Sequence, residues 1–242
     1  MQSGLSLPRI ETRGECTLLL RFGERIDASC NDRVHAAARA LRTPAIPGLL
    51  ELVPAYASLA VHYDPTSWHD SNSGRKATDR FVEVIAERLS SMNAVELRDE
   101  SRLVDIPVCY DLEFGLDLDE AANELGLSVE DLIERHCAGS YRVAMLGFAP
   151  GFPYLLGLDR SLHLARRSQP RLRVPAGSVA IGGAQTGIYP SELPGGWQLI
   201  GRTPLRLFDM ERHPPQWLDA GDRVRFIAID RHRFDALAGN PA

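Results

Sequence analysis

The sequence predicts an α+β protein in two parts, an N-terminal βαββαβ unit followed by a C-terminal β-barrel or sandwich. Three observations carry this. Two amphipathic helical patterns are interleaved with apolar runs before residue 110. After residue 140, Gly and Pro break the chain about every eight to twelve residues, and helical periodicity fades there.

The elements follow in order. "CTLLLRFG" is an apolar run bounded by Gly23 and reads as a buried strand. "DASCNDRVHAAARALR" spaces Val34, Ala37, Ala38 and Leu41 on one helical face, and Pro44 and Pro47 close the helix. "GLLELVPAYASLAVHYDP" reads as two strands folded about Pro54 and Ala55, with Leu59, Val61 and Tyr63 alternating on the second. A helix is expected over residues 75–90 on the stripe Phe81, Val84, Ile85 and Leu89. "SRLVDIPVCY" then closes the unit, which gives the ferredoxin-like split motif over residues 8–110. A connector over residues 111–139 holds two short helices, whose starts are marked by Asp117 before Glu120 and Ser128 before Asp131. His136, late in the second, reads as a surface histidine favoured by the helix dipole. Over residues 140–235, "YRVAMLGF", "SVAIGG", "GWQLIG" and "DRVRFIAI" are the clearest strands.

Composition narrows the chemistry. The 242 residues are 44% hydrophobic and 24% charged, without an apolar stretch long enough to span a bilayer or a signal-peptide pattern, so a cytoplasmic protein without a membrane partner is expected. Cys16, Cys30, Cys109 and Cys137 form no CxxC pair and read as reduced thiols, and the seven histidines show no metal-binding spacing, so no protein-built metal site is expected. Lys76 is the single lysine among 27 basic residues, and "SNSGRKAT" lacks the first glycine of a P-loop, which argues against a P-loop and against lysine nucleophiles. Charge is uneven: residues 160–191 contain no acid but hold Arg160, Arg166, Arg167, Arg171 and Arg173, so the rest of a chain of net charge −5 carries −10. Arginines grip carboxylates and phosphates through paired donors, which points to an anionic ligand or an acidic partner, with a solvated loop as the plainer reading. Nucleic acid is not expected of an acidic chain with 7% aromatic residues.

"GFAPGFPYLLGL", "RVPAGSVAIGGAQTGIYPSELPGGWQLIGRTP" and "AGDRVRFIAI" resemble the signature blocks of the allophanate hydrolase subunit 1 family, and the likeness runs upstream through "IPVCYDLEFGLDL". That family includes the B subunit of bacterial 5-oxoprolinase and a sporulation-kinase inhibitor. The resemblance implies a cyclophilin-like C-terminal barrel and work with a partner of the allophanate hydrolase subunit 2 type, which is the C subunit in 5-oxoprolinase. In that enzyme a third hydrolase subunit joins to open 5-oxo-L-proline to L-glutamate. ATP with magnesium is then the implied co-substrate, bound here, on the partner or between them, and the chain is expected to be inactive alone. An allophanate hydrolase or urea carboxylase type of carboxyl transfer, and a non-catalytic histidine-kinase inhibitor, are the alternatives.

Activating a lactam needs donors for a carboxylate and a developing phosphate. Arg171 and Arg173 flank Leu172, so an extended segment would turn both guanidinium groups to one face. Gln185 and Thr186 stand between glycines, with Gly182 and Gly183 just before them, where backbone could approach a ligand. Tyr189 and Trp197 offer flat surfaces, and Arg202 with Thr203 adds donors. In "GFAPGF", Phe148 and Phe152 would form an apolar wall on a loop shaped by Pro150 and Gly151. The same glycines serve equally well as turns, with Trp197 as core and "GFAPGF" as a structural corner. Ser178 reads as a strand or turn residue rather than a nucleophile, and Glu192, Asp209 and Asp222 are the candidate bases, with Asp222 in a turn-like "AGD".

Overall fold

The computed structural model describes residues 7–70, 74–91 and 101–239. The chain divides into two units, Met1–Glu100 and Ser101–Ala242.

In the first unit the order is β1 (Arg9–Thr12), β2 (Thr17–Arg21), α1 (Ala28–Arg42), β3 (Leu49–Pro54), β4 (Ser58–Tyr63) and α2 (Ala77–Ser90). The strands form one antiparallel sheet in the order β1-β2-β4-β3. Period-two alternation sends Leu18, Leu20, Leu59, Val61 and Tyr63 to one face, where they meet Val34, Leu41, Phe81 and Ile85 of the two helices in a single buried core. Asp27 caps α1 by accepting from the Cys30 amide at 3.1 Å.

This arrangement corrects the expected βαββαβ unit over residues 8–110. The order is ββαββα, and the fourth strand of the sheet is Arg9–Thr12, a short segment of mixed polarity. The segment 103–109, assigned by its apolar run to this unit, lies in the second one.

There, β5 (Leu103–Cys109) leads into α3 (Leu118–Leu125) and α4 (Val129–Ala138), followed by β6 (Tyr141–Leu146) and β7 (Pro153–Leu156). Next come β8 (Arg171–Val174), β9 (Ser178–Gly182), β10 (Gln185–Ile188), β11 (Leu193–Gly195), β12 (Gln198–Arg202), β13 (Arg223–Ile229) and α5 (Arg231–Ala238). Among the described residues, seven of these strands close a barrel in the order β10-β7-β6-β13-β5-β12-β9, with β9 and β10 paired to complete it. β5 runs parallel to β13 along its whole length, from Leu103 opposite Arg223 to Cys109 opposite Ile229. Val104, Ile106 and Val108 point inward with Val143, Leu155, Val179, Ile181, Ile188 and Phe226. β8 and β11 form a separate two-stranded ribbon.

Candidate functional site

The residues singled out in the sequence separate into four places, and strand geometry explains most of the separation.

Thr186 and Gln185 are neighbours on β10, so they face opposite sides of the barrel wall. Thr186 shares the inward face with Ile188 and is fully buried. Its hydroxyl donates to the Ala180 carbonyl at 2.9 Å, so its oxygen accepts from His136 Nε2 at 3.2 Å. His136 Nδ1 then carries no proton and accepts from the Tyr110 hydroxyl at 2.8 Å. His136 is therefore not the expected surface histidine. It lies within the core, stacked on Phe226 with centroids 4.4 Å apart, and burial lowers its pKa from 6.5 to about 3. The three side chains form a satisfied, neutral chain that pins α4 to the barrel, and Thr186 is not placed to meet a ligand.

On the outer wall, the glycines of β9 and β10 have a different role from the one expected. A Cβ on Gly182 would stand 2.6 Å from the Trp197 indole, and one on Gly187 would stand 3.1 Å from the same ring and 3.2 Å from Phe152. The bare backbone is a shelf on which two aromatic rings lie, and Gln185, on the same side as Gly187, is buried beside it. Gly183 belongs to the hairpin turn and exchanges backbone hydrogen bonds with Leu164. Tyr189 and Trp197 are buried with Phe152, their rings edge-on to the Phe152 ring at 5.3 and 5.8 Å. Burial pushes the Tyr189 phenol pKa up, so it stays protonated and is no base. Pro150 and Gly151 make the turn before β7, with Gly151 against Phe208. Phe148 is 63% exposed at φ 67°, inside a three-residue turn closed by Ala149 N–H to the Gly147 carbonyl at 2.8 Å. The two rings still meet edge-on with centroids 5.5 Å apart, so the expected pair is present, with Phe152 in the core and Phe148 on its exposed side.

Arg171 and Arg173 do share one strand, but they do not share a ligand. Asp117, 1% exposed, accepts from Arg167 Nη1 at 2.6 Å, from Arg171 Nη2 and Nη1 at 2.6 and 2.8 Å, and from the Leu199 amide at 2.7 Å. Its position at the start of α3 agrees with the N-cap signature, yet the carboxylate makes no cap bond and is committed to these four donors. Arg173 instead reaches into solvent and pairs loosely with Glu192 at 3.6 Å. The paired-arginine anion clamp is therefore corrected: the carboxylate it grips is the chain's own. Asp117 is the residue that sequence reasoning missed. The signal was present, because an acid-free arginine segment must draw its countercharge from elsewhere in the chain.

Arg202 and Thr203 lie in the fourth place, a groove of about 580 Å³ that also takes in Glu192, Leu205, Arg206, Phe208, Asp209 and Phe234. Its size is that of a small-molecule site. Thr203 is buried, and its hydroxyl accepts from the Leu205 amide at 3.3 Å, which holds the loop that follows. Arg202 donates Nε to the Ala176 carbonyl at 2.7 Å and lies 5.8 Å above the Phe114 ring. Of the candidate bases, Asp209 has its carboxyl held below the usual range by the Glu211 amide and then by Arg206, so it is a weak proton acceptor. Asp222 is occupied by Arg102 at 2.6 Å and by the Asp219 amide at 2.9 Å, as its turn-like context suggests.

Residues 8–218 match the family described as carboxyltransferase domain, subdomain C and D. The chain belongs to that family. It is 45% identical over 233 residues to the B subunit of 5-oxoprolinase from Bacillus subtilis (strain 168), covering 94% of this chain and 95% of the relative. The crystal structure of TTHA0988 superposes with a TM-score of 0.75 at 42% identity and covers 88% of this chain, which itself spans 40% of that longer one. The K. lactis urea amidolyase has a TM-score of 0.72 at 19% identity over 99% of this chain and 16% of its own, a likeness of fold. Within this carboxyltransferase-domain family, no helix among the described residues of the present member is long and apolar enough to cross a membrane.

Proposed function

We propose that this chain is the B subunit of an ATP-dependent 5-oxoprolinase, opening 5-oxo-L-proline to L-glutamate together with a partner of the allophanate hydrolase subunit 2 type and a third hydrolase subunit. The observation that carries this reading is the 45% identity with a relative of that name, extending over 94% of this chain and 95% of the relative.

The groove at Arg202 is the part of this chain assigned to the substrate side of that reaction. A lactam is a poor electrophile, and phosphorylating its oxygen converts that oxygen into a leaving group, which calls for donors at a carboxylate and at a developing phosphate. The residues here suit the first task. They do not fit a triphosphate: the groove's charged lining is two arginines and two acids, with neither a lysine nor a P-loop, so no step through ATP is derived on this chain. ATP with its magnesium is assigned to the partner or to the shared boundary.

The test is reconstitution. The chain alone should release no glutamate from 5-oxoproline and ATP, and adding both cognate subunits should start release. A complete, correctly assembled mixture that forms no glutamate sinks the reading. The family's description as a carboxyltransferase domain favours a second reading, carboxyl transfer to a urea-type amide, which the same mixture would reveal as bicarbonate-dependent consumption of urea.

A further inference from the structure

Of the four charged residues lining the groove, three have an ion-pair partner: Glu192 has Arg173 at 3.6 Å, and Arg206 and Asp209 have each other at 2.9 Å. Arg202 is the exception. Its Nε is committed to the Ala176 carbonyl, and its two terminal nitrogens have no acceptor among the described residues. The Nε bond at 2.7 Å and the Phe114 ring hold the guanidinium plane in place, so its fork is preorganised. Besides these charged groups, the lining includes an apolar part formed by Pro190, Leu205, Phe208 and Phe234. The groove therefore presents one uncompensated positive charge in planar, two-donor form beside an apolar floor.

We infer that this groove binds a small carboxylate monoanion, its two oxygens on the terminal nitrogens of Arg202 and its compact carbon body on Phe208, Leu205 and Phe234. Carboxylate geometry matches the guanidinium fork, a single free charge matches a monoanion, and the floor requires a carbon skeleton that inorganic phosphate lacks. The inference rests on the proposed function for one point, that the physiological carboxylate is that of 5-oxoproline.

The test is a titration of the full chain with four probes. These are 5-oxoproline, cyclopentanecarboxylate (the ring acid without the lactam), 2-pyrrolidinone (the lactam without the acid) and inorganic phosphate. Both acids should bind, and 2-pyrrolidinone and phosphate should bind at least about tenfold more weakly, the factor expected from losing a charge-assisted pair or the apolar contact. Arg202→Gln should weaken both acids by a similar factor. Ala238→Trp places bulk into the groove from an exposed position on α5, leaves Arg202 untouched, and should do the same, which guards against misfolding of the first variant. Binding of cyclopentanecarboxylate without 5-oxoproline keeps the carboxylate site and removes 5-oxoproline as its ligand. The site is overturned by any of three results: no acid binds, phosphate or 2-pyrrolidinone binds as well as the acids, or both variants, folded by thermal denaturation, bind the acids as the parent does.

Discussion

Replacing Asp117 with Ala removes the acceptor of four hydrogen bonds, three from arginines and one from the Leu199 amide, at a site 1% exposed. Taking one partner from a buried ion pair costs roughly 3–5 kcal/mol. The side chains of Arg167 and Arg171 are 30% and 23% exposed, so each guanidinium regains some water when its partner is lost, which places the cost near the lower limit. The Leu199 amide cannot do so, because it is buried in β12. A loss of about 3 kcal/mol in a unit of this size lowers the unfolding midpoint by roughly 6–12 °C. Calorimetry is the assay of choice, because the transition of the unit Ser101–Ala242, which holds Asp117, should move. Arg173→Ala is the control. That side chain is 82% exposed and its ion pair is loose, so the change should stay within about 0.5 kcal/mol. If Asp117→Ala cost less than about 1 kcal/mol, the carboxylate would not be the anchor of the arginine segment.

Two further outcomes follow from the barrel. His136 is neutral when folded, with a pKa of about 3 against 6.5 in its ordinary state, so the unfolded chain binds a proton that the folded chain refuses. Its contribution to stability is thus lost as pH falls below 6.5, by about 2 kcal/mol between pH 7 and 5, and urea unfolding of His136→Gln should show a flatter pH dependence over that interval than the parent. An identical slope in the two proteins would refute the burial of a neutral imidazole. Gly182→Ala sets a methyl 2.6 Å from the Trp197 ring and should cost roughly 1–3 kcal/mol with a shift in tryptophan emission. A neutral result in both readouts would mean that the indole does not rest on that backbone.

Much of the fold was legible where local periodicity and burial coincide. Val34, Ala37, Ala38 and Leu41 form the buried stripe of α1, and the strands beginning at Tyr141, Ser178, Gln198 and Arg223 fall where turn residues isolate apolar runs. Arg9–Thr12 was not legible, since four residues of mixed polarity on a sheet edge carry no period. The site was harder. Neighbouring positions such as Gln185 and Thr186 look alike in sequence and are sent to opposite faces by the pleat. Burial of His136 depends on Phe226, Tyr110 and Thr186, which are distant in sequence and invisible to the local pattern of α4. Arg171 and Arg173 are indistinguishable until Asp117 is seen beside one of them.

The parallel pairing of β5 with β13 has a consequence for how the molecule is made. Asp105 and Arg225, bonded across these strands at 2.7 Å, are 120 positions apart, so β5 leaves the ribosome long before the strand that completes its neighbourhood. Until then the apolar row Val104, Ile106 and Val108 lacks one of its two flanking strands and cannot be sealed by local folding. The strands and α-helices described in the first unit are in hand by residue 91, whereas the barrel must wait for residue 229. Synthesis therefore passes through a nascent chain with one finished unit and one open sheet edge, and this interval is when the protein is most exposed to wrong pairing with other chains.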